Sequence, residues 1–125
     1  MDSKYMDKKR KNLIQLIMKA NITKNEGKCL LYIADKGDVK TRELEDSLDL
    51  RQPEVSIAVQ NLRKKGWIEK GEVKKKGKGR PSHVYKLKKP IEDIMNDVIK
   101  EIEKKIKELK DGKRKVRDLT IELFY

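Results

Sequence analysis

The chain has 125 residues, and its 33 Lys and Arg against 21 Asp and Glu give it a net charge of +12. One domain is expected at this length, which argues against a two-domain enzyme. Charged residues make up 43% of the chain and aromatic residues 5%, so any core is expected to be small and aliphatic. The single cysteine, Cys29, excludes an intrachain disulfide and a secreted disulfide scaffold.

Nothing in the sequence predicts secretion or membrane insertion. No apolar stretch approaches the roughly 20 residues that cross a bilayer, and the first residues lack the apolar region of a signal peptide. We therefore expect a cytoplasmic protein without a membrane partner.

Positive charge is concentrated in one part of the chain. Residues 63–89 hold twelve Lys and Arg against two Glu, an excess of ten positive charges, whereas the flanking segments almost balance. Unpaired charge of one sign repels itself unless a polyanion neutralises it. This distribution favours nucleic-acid binding over an ordinary solvated surface.

The first predicted element is an amphipathic helix within residues 1–20. Its apolar side is formed by Met6, Leu13, Ile14, Ile17 and Met18. Such a face needs a partner that covers it.

Two shorter helices follow. The second begins after Thr23, whose hydroxyl can accept a hydrogen bond from the Glu26 amide while the Glu26 side chain returns the bond, as in a capping box, and it ends at Gly37. The third begins with Thr41 as its N-cap and buries its two leucines.

The fourth helix begins at Pro53, because proline lacks the amide that would be unsatisfied at the first helical position, and it ends at Gly66. Its buried stripe is predicted to be Val55, Ala58, Val59 and Leu62. The opposite face carries Glu54, Ser56, Ile57, Gln60, Asn61, Arg63 and Lys64.

Residues 67–73 and 83–87 alternate as two antiparallel strands, and a basic, glycine-bearing loop over residues 74–81 joins them. A long final helix opens at Pro90 and is predicted to end at Gly112. Its apolar seam has near-heptad spacing and consists of Ile91, Met95, Val98, Ile102 and Leu109. The conformation of residues 112–125 is left open.

Three sequence motifs accompany this order of elements. They are Gln52-Pro53-Glu54-Val55-Ser56, Leu62-Arg63-Lys64-Lys65-Gly66-Trp67-Ile68, and Gly79-Arg80-Pro81 followed by Tyr85-Lys86-Leu87. Together they resemble the winged helix-turn-helix fold of small MarR and TrmB-like transcription regulators of archaeal type, over residues 22–87. The resemblance implies a mainly α fold with a small β-hairpin wing. Residues 21–89 would be the DNA-binding domain, and residues 1–20 and 90–125 would be dimerisation segments.

The resemblance makes the fourth helix the recognition helix. Its amides and hydroxyls can bond base edges in the major groove, its cations can hold phosphates, and Ile57 can meet a thymine methyl. The residues expected at this site are Arg51, Gln52, Pro53, Glu54, Ser56, Ile57, Gln60, Asn61, Arg63 and Lys64. At the start of the preceding helix, Thr41 and Arg42 are expected to face the DNA backbone.

The loop resembles the core of an AT-hook, in which an arginine enters the narrow minor groove of A·T-rich DNA. The wing residues expected to bind DNA are Lys74, Lys75, Lys76, Lys78 and Arg80. A nucleotide-binding Walker loop is a disfavoured alternative for this glycine-bearing segment, because that loop needs a different glycine spacing followed by Lys and then Ser or Thr.

Enzymatic chemistry is not expected. His83 is the only histidine and Cys29 the only thiol, and no acidic cluster accompanies them. We therefore predict no catalytic residue, no metal and no cofactor, and no residue identifies a small-molecule effector.

The sequence thus predicts a regulator that binds double-stranded DNA at specific sequences as a homodimer, with recognition helices about 34 Å apart. The predicted dimer interface consists of Leu13, Ile17, Ile91, Met95, Val98, Ile102 and Leu109. Alternatively, the final helix folds back over its own domain. The alternatives to a regulator are a non-specific architectural DNA-binding protein and a protein-interaction adaptor of the transcription machinery.

Overall fold

The computed structural model describes residues 6–73 and 82–125, which form five α-helices, a short 3-10 helix and a three-stranded antiparallel sheet. In chain order the elements are α1 (Lys8–Ile17), the 3-10 helix (Met18–Ala20), α2 (Lys24–Lys36), β1 (Val39–Lys40), α3 (Thr41–Leu48), α4 (Gln52–Lys64), β2 (Ile68–Val73), β3 (Ser82–Leu87) and α5 (Ile91–Phe124). This order confirms the predicted mainly α fold with a small β wing.

The start of α2 confirms one half of its predicted capping box. Thr23 Oγ1 accepts a hydrogen bond of 3.1 Å from the Glu26 amide. The Glu26 side chain does not return the bond to Thr23, because its Oε2 accepts from Asn61 Nδ2 instead. The prediction for α3 is wrong by one residue, since Lys40 is its N-cap and Thr41 its first helical residue.

Helix α4 starts one residue earlier than predicted, so Pro53 is its second residue and Arg51 its N-cap. The Arg51 amide donates a 3.0 Å hydrogen bond to Glu54 Oε1. At the other end Gly66 has a φ of 78°, a left-handed conformation that glycine adopts without a steric penalty. The predicted stop at Gly66 is therefore confirmed.

In the sheet, β3 lies between β1 and β2. Val39 pairs with Tyr85, and Ile68 pairs with Leu87. The hairpin was predicted, whereas the two-residue strand β1 was not, because so short a strand has no measurable alternation.

The core is aliphatic, as predicted, and it extends beyond the winged domain. Its most completely buried large side chains are Leu30, Ile33, Leu44, Leu48, Leu62, Ile68 and Ile94. Ile17 of α1 and Val98 of α5 are also buried in it, at 3% and 2% exposure. Placing these two residues in the dimer interface was wrong, because the chain's own core already covers them. Ile91, Met95 and Ile102 pack against that core and are partly buried.

Helix α5 continues through Gly112 to Phe124. The predicted stop at Gly112 is wrong, because the residue does not adopt a positive φ and the flanking residues favour helix. A Cβ atom at position 112 would meet no atom within 4 Å. The early part of α5 therefore covers its own domain, as the folded-back alternative had it, and residues 103–125 are almost entirely exposed.

Candidate nucleic-acid interface

The predicted recognition face is the solvent face of α4. Gln60, Arg63 and Lys64 are exposed there, Ser56 is half-buried, and the Ile57 side chain is 61% exposed. The opposite face packs into the core through Val55, Ala58, Val59 and Leu62. The chain therefore presents hydroxyl, amide, apolar and cationic groups on one helix face, which is the set of groups that can contact base edges and phosphates.

Asn61 lies at the edge of this face and is already engaged within the chain. Its Nδ2 donates a 3.1 Å hydrogen bond to Glu26 Oε2, and the side chain is half-buried. The structure therefore brings Asn61 to α2 and leaves Gln60 as the exposed amide of this turn.

At the start of α4, Arg51, Gln52 and Pro53 are exposed, and Glu54 is half-buried. The Glu54 carboxylate accepts from the Arg51 amide, from Arg51 Nε at 3.3 Å and from Asn25 Nδ2 at 3.4 Å. These hydrogen bonds, chiefly the one from the Arg51 amide, hold the pKa of Glu54 below its usual value. Glu54 therefore caps the recognition helix.

A basic cleft of about 470 Å³ lies between α4 and β2. Its lining residues are Gln60, Arg63, Lys64, Ile68, Glu69, Lys70 and Lys88. Glu69, the one acid among them, lies with its Oε1 3.5 Å from Lys86 Nζ outside the cleft. The cleft therefore carries an excess of positive charge beside the recognition face, which suits a phosphate group.

Lys70 and Lys88 were missed as site residues by the sequence analysis. Lys70 lies two residues after the buried Ile68 and therefore on the same face of β2, so strand alternation gave no signal for its exposure. No local pattern marks Lys88, because its position in the cleft depends on how the end of the hairpin packs beside α4.

A second cleft of about 210 Å³ connects the recognition face to the start of α3. It is lined by Thr41, Gln52, Val55, Ser56, Val59, Gln60, Arg63, Lys70 and Tyr85. Gln60, Arg63 and Lys70 line both clefts. The structure thus brings Thr41 beside the recognition helix, and its neighbour Arg42 is exposed.

The predicted wing residues Lys74, Lys75, Lys76, Lys78 and Arg80 lie outside the described residues. The strands that lead to them pair as far as Val73 and Ser82.

The groups considered for catalysis in the sequence are Cys29 and His83. Cys29 is fully buried, and burial raises the pKa of its thiol to about 12, so the thiol is not a nucleophile near neutral pH. His83 is exposed on β3. In residues 6–73 and 82–125, no three His, Cys, Asp or Glu side chains are grouped so that they could hold a metal ion. No helix in this part of the chain combines the length and apolarity that crossing a membrane requires.

The predicted dimer residues that remain accessible are Leu13 and Leu109, which are 37% and 68% exposed. Further exposed apolar residues follow along α5 and were not assigned to an interface. They include Ile106, Val116, Leu119 and Leu123.

Comparisons with known proteins agree with this geometry. The model of the MarR family matches residues 20–79. A possible transcriptional regulator from Methanosarcina mazei Go1 is 20% identical, with a TM-score of 0.63 over 80% of this chain and 83% of that chain. Among curated proteins, nothing matches.

Two further solved structures share the fold. TrmBL2, described as an archaeal chromatin protein with a novel mode of DNA binding, is 18% identical at a TM-score of 0.59, over 92% of this chain and 42% of that one. NadR in complex with 4-hydroxyphenylacetate is 18% identical at a TM-score of 0.55, over 92% of this chain and 84% of that one. The solved structures share the fold of the described residues, and residues 20–79 of the sequence are similar to the MarR family.

Proposed function

We propose that this chain regulates transcription by binding double-stranded DNA at specific sequences as a homodimer. The observation that carries the proposal is the exposed face of α4 beside a cleft lined by Arg63, Lys64, Lys70 and Lys88. The major groove admits an α-helix, and cations beside the helix neutralise phosphates and fix its register on the duplex.

The exposed side chains suggest separate roles. Gln60 and Ser56 read base edges, and Ile57 contacts a thymine methyl. The four cations of the cleft bind phosphates, while Thr41 and Arg42 contact the backbone at the start of α3.

The wing adds a second contact. Its lysines bind phosphates, and Arg80 enters the minor groove of A·T-rich sequence flanking the site, where the groove is narrow and its negative potential strong. This role rests on the Gly79-Arg80-Pro81 motif.

Homodimerisation is supported by the exposed apolar stripe of α5. Leu109, Val116 and Leu123 follow one another at intervals of seven residues. Their side chains and that of Leu119 are each between 54% and 71% exposed. A stripe of this spacing is typical of a helix that pairs with a second helix. Two copies would place two α4 helices on half-sites about one helical turn apart.

An architectural, non-specific DNA-binding protein is the second candidate. It is favoured by the ten excess positive charges of residues 63–89, because phosphate neutralisation requires no base reading. TrmBL2, which shares the fold, is described as a chromatin protein.

Selection from random duplex DNA at about 150 mM salt tests these candidates, because salt governs the non-specific part of the affinity. Light scattering on the same preparation gives the oligomeric state. We expect an enriched inverted repeat and a dimer. Binding without an enriched motif would favour the architectural protein, and no duplex binding would leave the adaptor.

A further inference from the structure

Glu26 of α2 is a buried residue whose carboxyl group contacts the recognition helix α4. Its side chain is 3% exposed, and among the described residues it is the one charged side chain that is buried. Its Oε2 accepts the hydrogen bond from Asn61, while its Oε1 is buried and has no hydrogen-bond partner among residues 6–73 and 82–125. The nucleic-acid contacts proposed above do not use this residue.

The position of Glu26 is costly for folding. A buried carboxyl group with an unsatisfied oxygen is less favourable than a well-packed apolar side chain of similar size. Apolar residues already fill the interface between α2 and α4, including Leu30, Val59 and Leu62. A polar pair that weakens such an interface can instead specify how its elements align.

The contact has a geometry suited to alignment. The neighbouring residue Asn25 holds Glu54 at the start of α4, and Glu26 holds Asn61 seven residues later, about 10 Å along the helix. Two adjacent residues in the first turn of α2 are therefore linked to two points on α4.

The first turn of α2 is itself held in place. A Cβ atom at Gly27 would lie 3.1 Å from Ile14 Cγ2, so α1 packs closely against the α2 backbone beside Glu26. Thr23 also caps this turn through the Glu26 amide. The backbone that carries the Glu26 side chain is thus held in place by α1 and by the Thr23 cap.

We propose that Glu26 is a positioning residue for DNA recognition, which holds Asn61 and thereby sets the rotation of α4 about its own axis. This inference rests on the proposed function for its consequence in DNA binding. Apolar packing resists separation of two helices, whereas a hydrogen bond also depends on direction. A rotated α4 would misalign Ser56 and Gln60 with base edges but would leave the charge of the cleft unchanged.

Four variants of the full chain test the proposal: Glu26→Met, Asn61→Leu, the double variant, and the conservative Glu26→Gln, whose amide oxygen can accept the same bond. Residual dipolar couplings give the orientation of α4 relative to α2. We expect a changed orientation in the first three variants and the original orientation in Glu26→Gln. An orientation that is unchanged in all four would overturn the proposal.

The second readout is the ratio of specific to non-specific DNA affinity. We expect about a tenfold loss in each of the first three variants, without additivity in the double variant because both substitutions remove one shared interaction, and a retained ratio in Glu26→Gln. Glu103→Gln is the control, because it removes a negative charge at an exposed position of α5. A similar loss in this control would assign the effect to net charge and overturn the proposal.

The two readouts separate this proposal from the proposed function. If the original chain shows no preferred sequence, the regulator is wrong, and the orientation of α4 alone decides the role of Glu26 in positioning. If the orientation changes but the affinity ratio does not, Glu26 has no role in recognition and the proposal is overturned.

Discussion

The indole Nε1 of Trp67 donates a hydrogen bond of 3.1 Å to Oδ2 of Asp97. This bond joins the start of the wing hairpin to α5, and Lys89 pairs with the same carboxylate oxygen. Trp67 is 5% exposed, so its polar atom needs such a partner. The Asp97 carboxylate is therefore the polar junction between the winged domain and the long helix.

Replacing Asp97 should give a pH-dependent loss of stability. The hydrogen bonds from Lys89 and then from Trp67 hold the pKa of Asp97 below its usual value. A carboxyl group with a lowered folded-state pKa stabilises the protein above its unfolded pKa, and this contribution is lost as the pH falls through the folded pKa.

We therefore expect Asp97→Asn to be less stable than the original chain at neutral pH, with the difference shrinking below about pH 4. Denaturant unfolding followed by the fluorescence of Trp67, the single tryptophan, measures it. Asp111→Asn, at an exposed position of α5, should behave like the original chain. A difference that persists unchanged into acid would refute the role of the carboxylate.

Cys29 should be unreactive in the folded protein. Burial raises the pKa of its thiol to about 12, so both access and thiolate formation are suppressed. A chromogenic disulfide reagent at about pH 8 should modify Cys29 only as fast as the chain unfolds, and promptly in denaturant. Prompt reaction without denaturant would contradict this burial.

Cys29→Ser should destabilise the fold more than Cys29→Ala, by about 1–3 kcal/mol, because it places a hydroxyl group in a fully buried position of the aliphatic core. Thermal unfolding of the two variants makes the comparison. Equal stabilities would indicate that a hydrogen-bond partner is available to the serine.

Gln60→Ala should relax the preference for one base pair, at a cost of about 1–3 kcal/mol on the preferred sequence and little on others. The reason is that Gln60 presents an exposed amide in the middle of the recognition face. Titrations of a matched set of duplexes measure the effect, with Gln15→Ala on the exposed side of α1 as control. A uniform loss across all duplexes would show that Gln60 contacts only the backbone.

Lys70→Ala and Lys88→Ala should weaken binding to all duplexes similarly and reduce the slope of log affinity against log salt by about 1 each. Both lysines line the basic cleft beside α4. Lys104→Ala, at an exposed position of α5, is the matched control. An unchanged slope in both cleft variants would exclude the cleft from the phosphate contacts.

Gly112→Ala should strengthen α5, by about 1 kcal/mol, because glycine in a helix interior retains more freedom in the unfolded chain than alanine does. Space is open for the added methyl group. Circular dichroism during heating measures helix stability, and sedimentation measures dimerisation. Weaker dimerisation in this variant would place Gly112 against the second copy.

Local sequence patterns predicted the helices and the hairpin because each has its own signal. Thr23 caps α2 and Gly66 adopts a positive φ after α4, and both roles are typical of these residue types at the ends of helices. Pro53 lies within one position of its predicted place in α4. Gly112 failed as a stop because glycine ends a helix only where the chain turns, and a run of helix-favouring residues continues on both sides of it.

Periodicity also predicted which faces are apolar, but not what covers them. Ile17, Val98 and Leu109 each belong to a periodic apolar helix face in the sequence. In the structure the first two lie in the core and the third is exposed. The contact between Glu26 and Asn61 joins residues 35 positions apart. No local pattern contains such a contact, so Asn61 was grouped with the solvent face.

The exposed part of α5 also makes the protein sensitive to small rotations. Residues 103–124 continue the helix beyond its last packed turn and extend it by about 33 Å. If this extension tilted about the last packed turn, near Ile102, a tilt of about 5° would move its far end by about 3 Å, close to the rise of one base pair. A dimer joined along that end would therefore convert a slight change at that turn into a different spacing between half-sites.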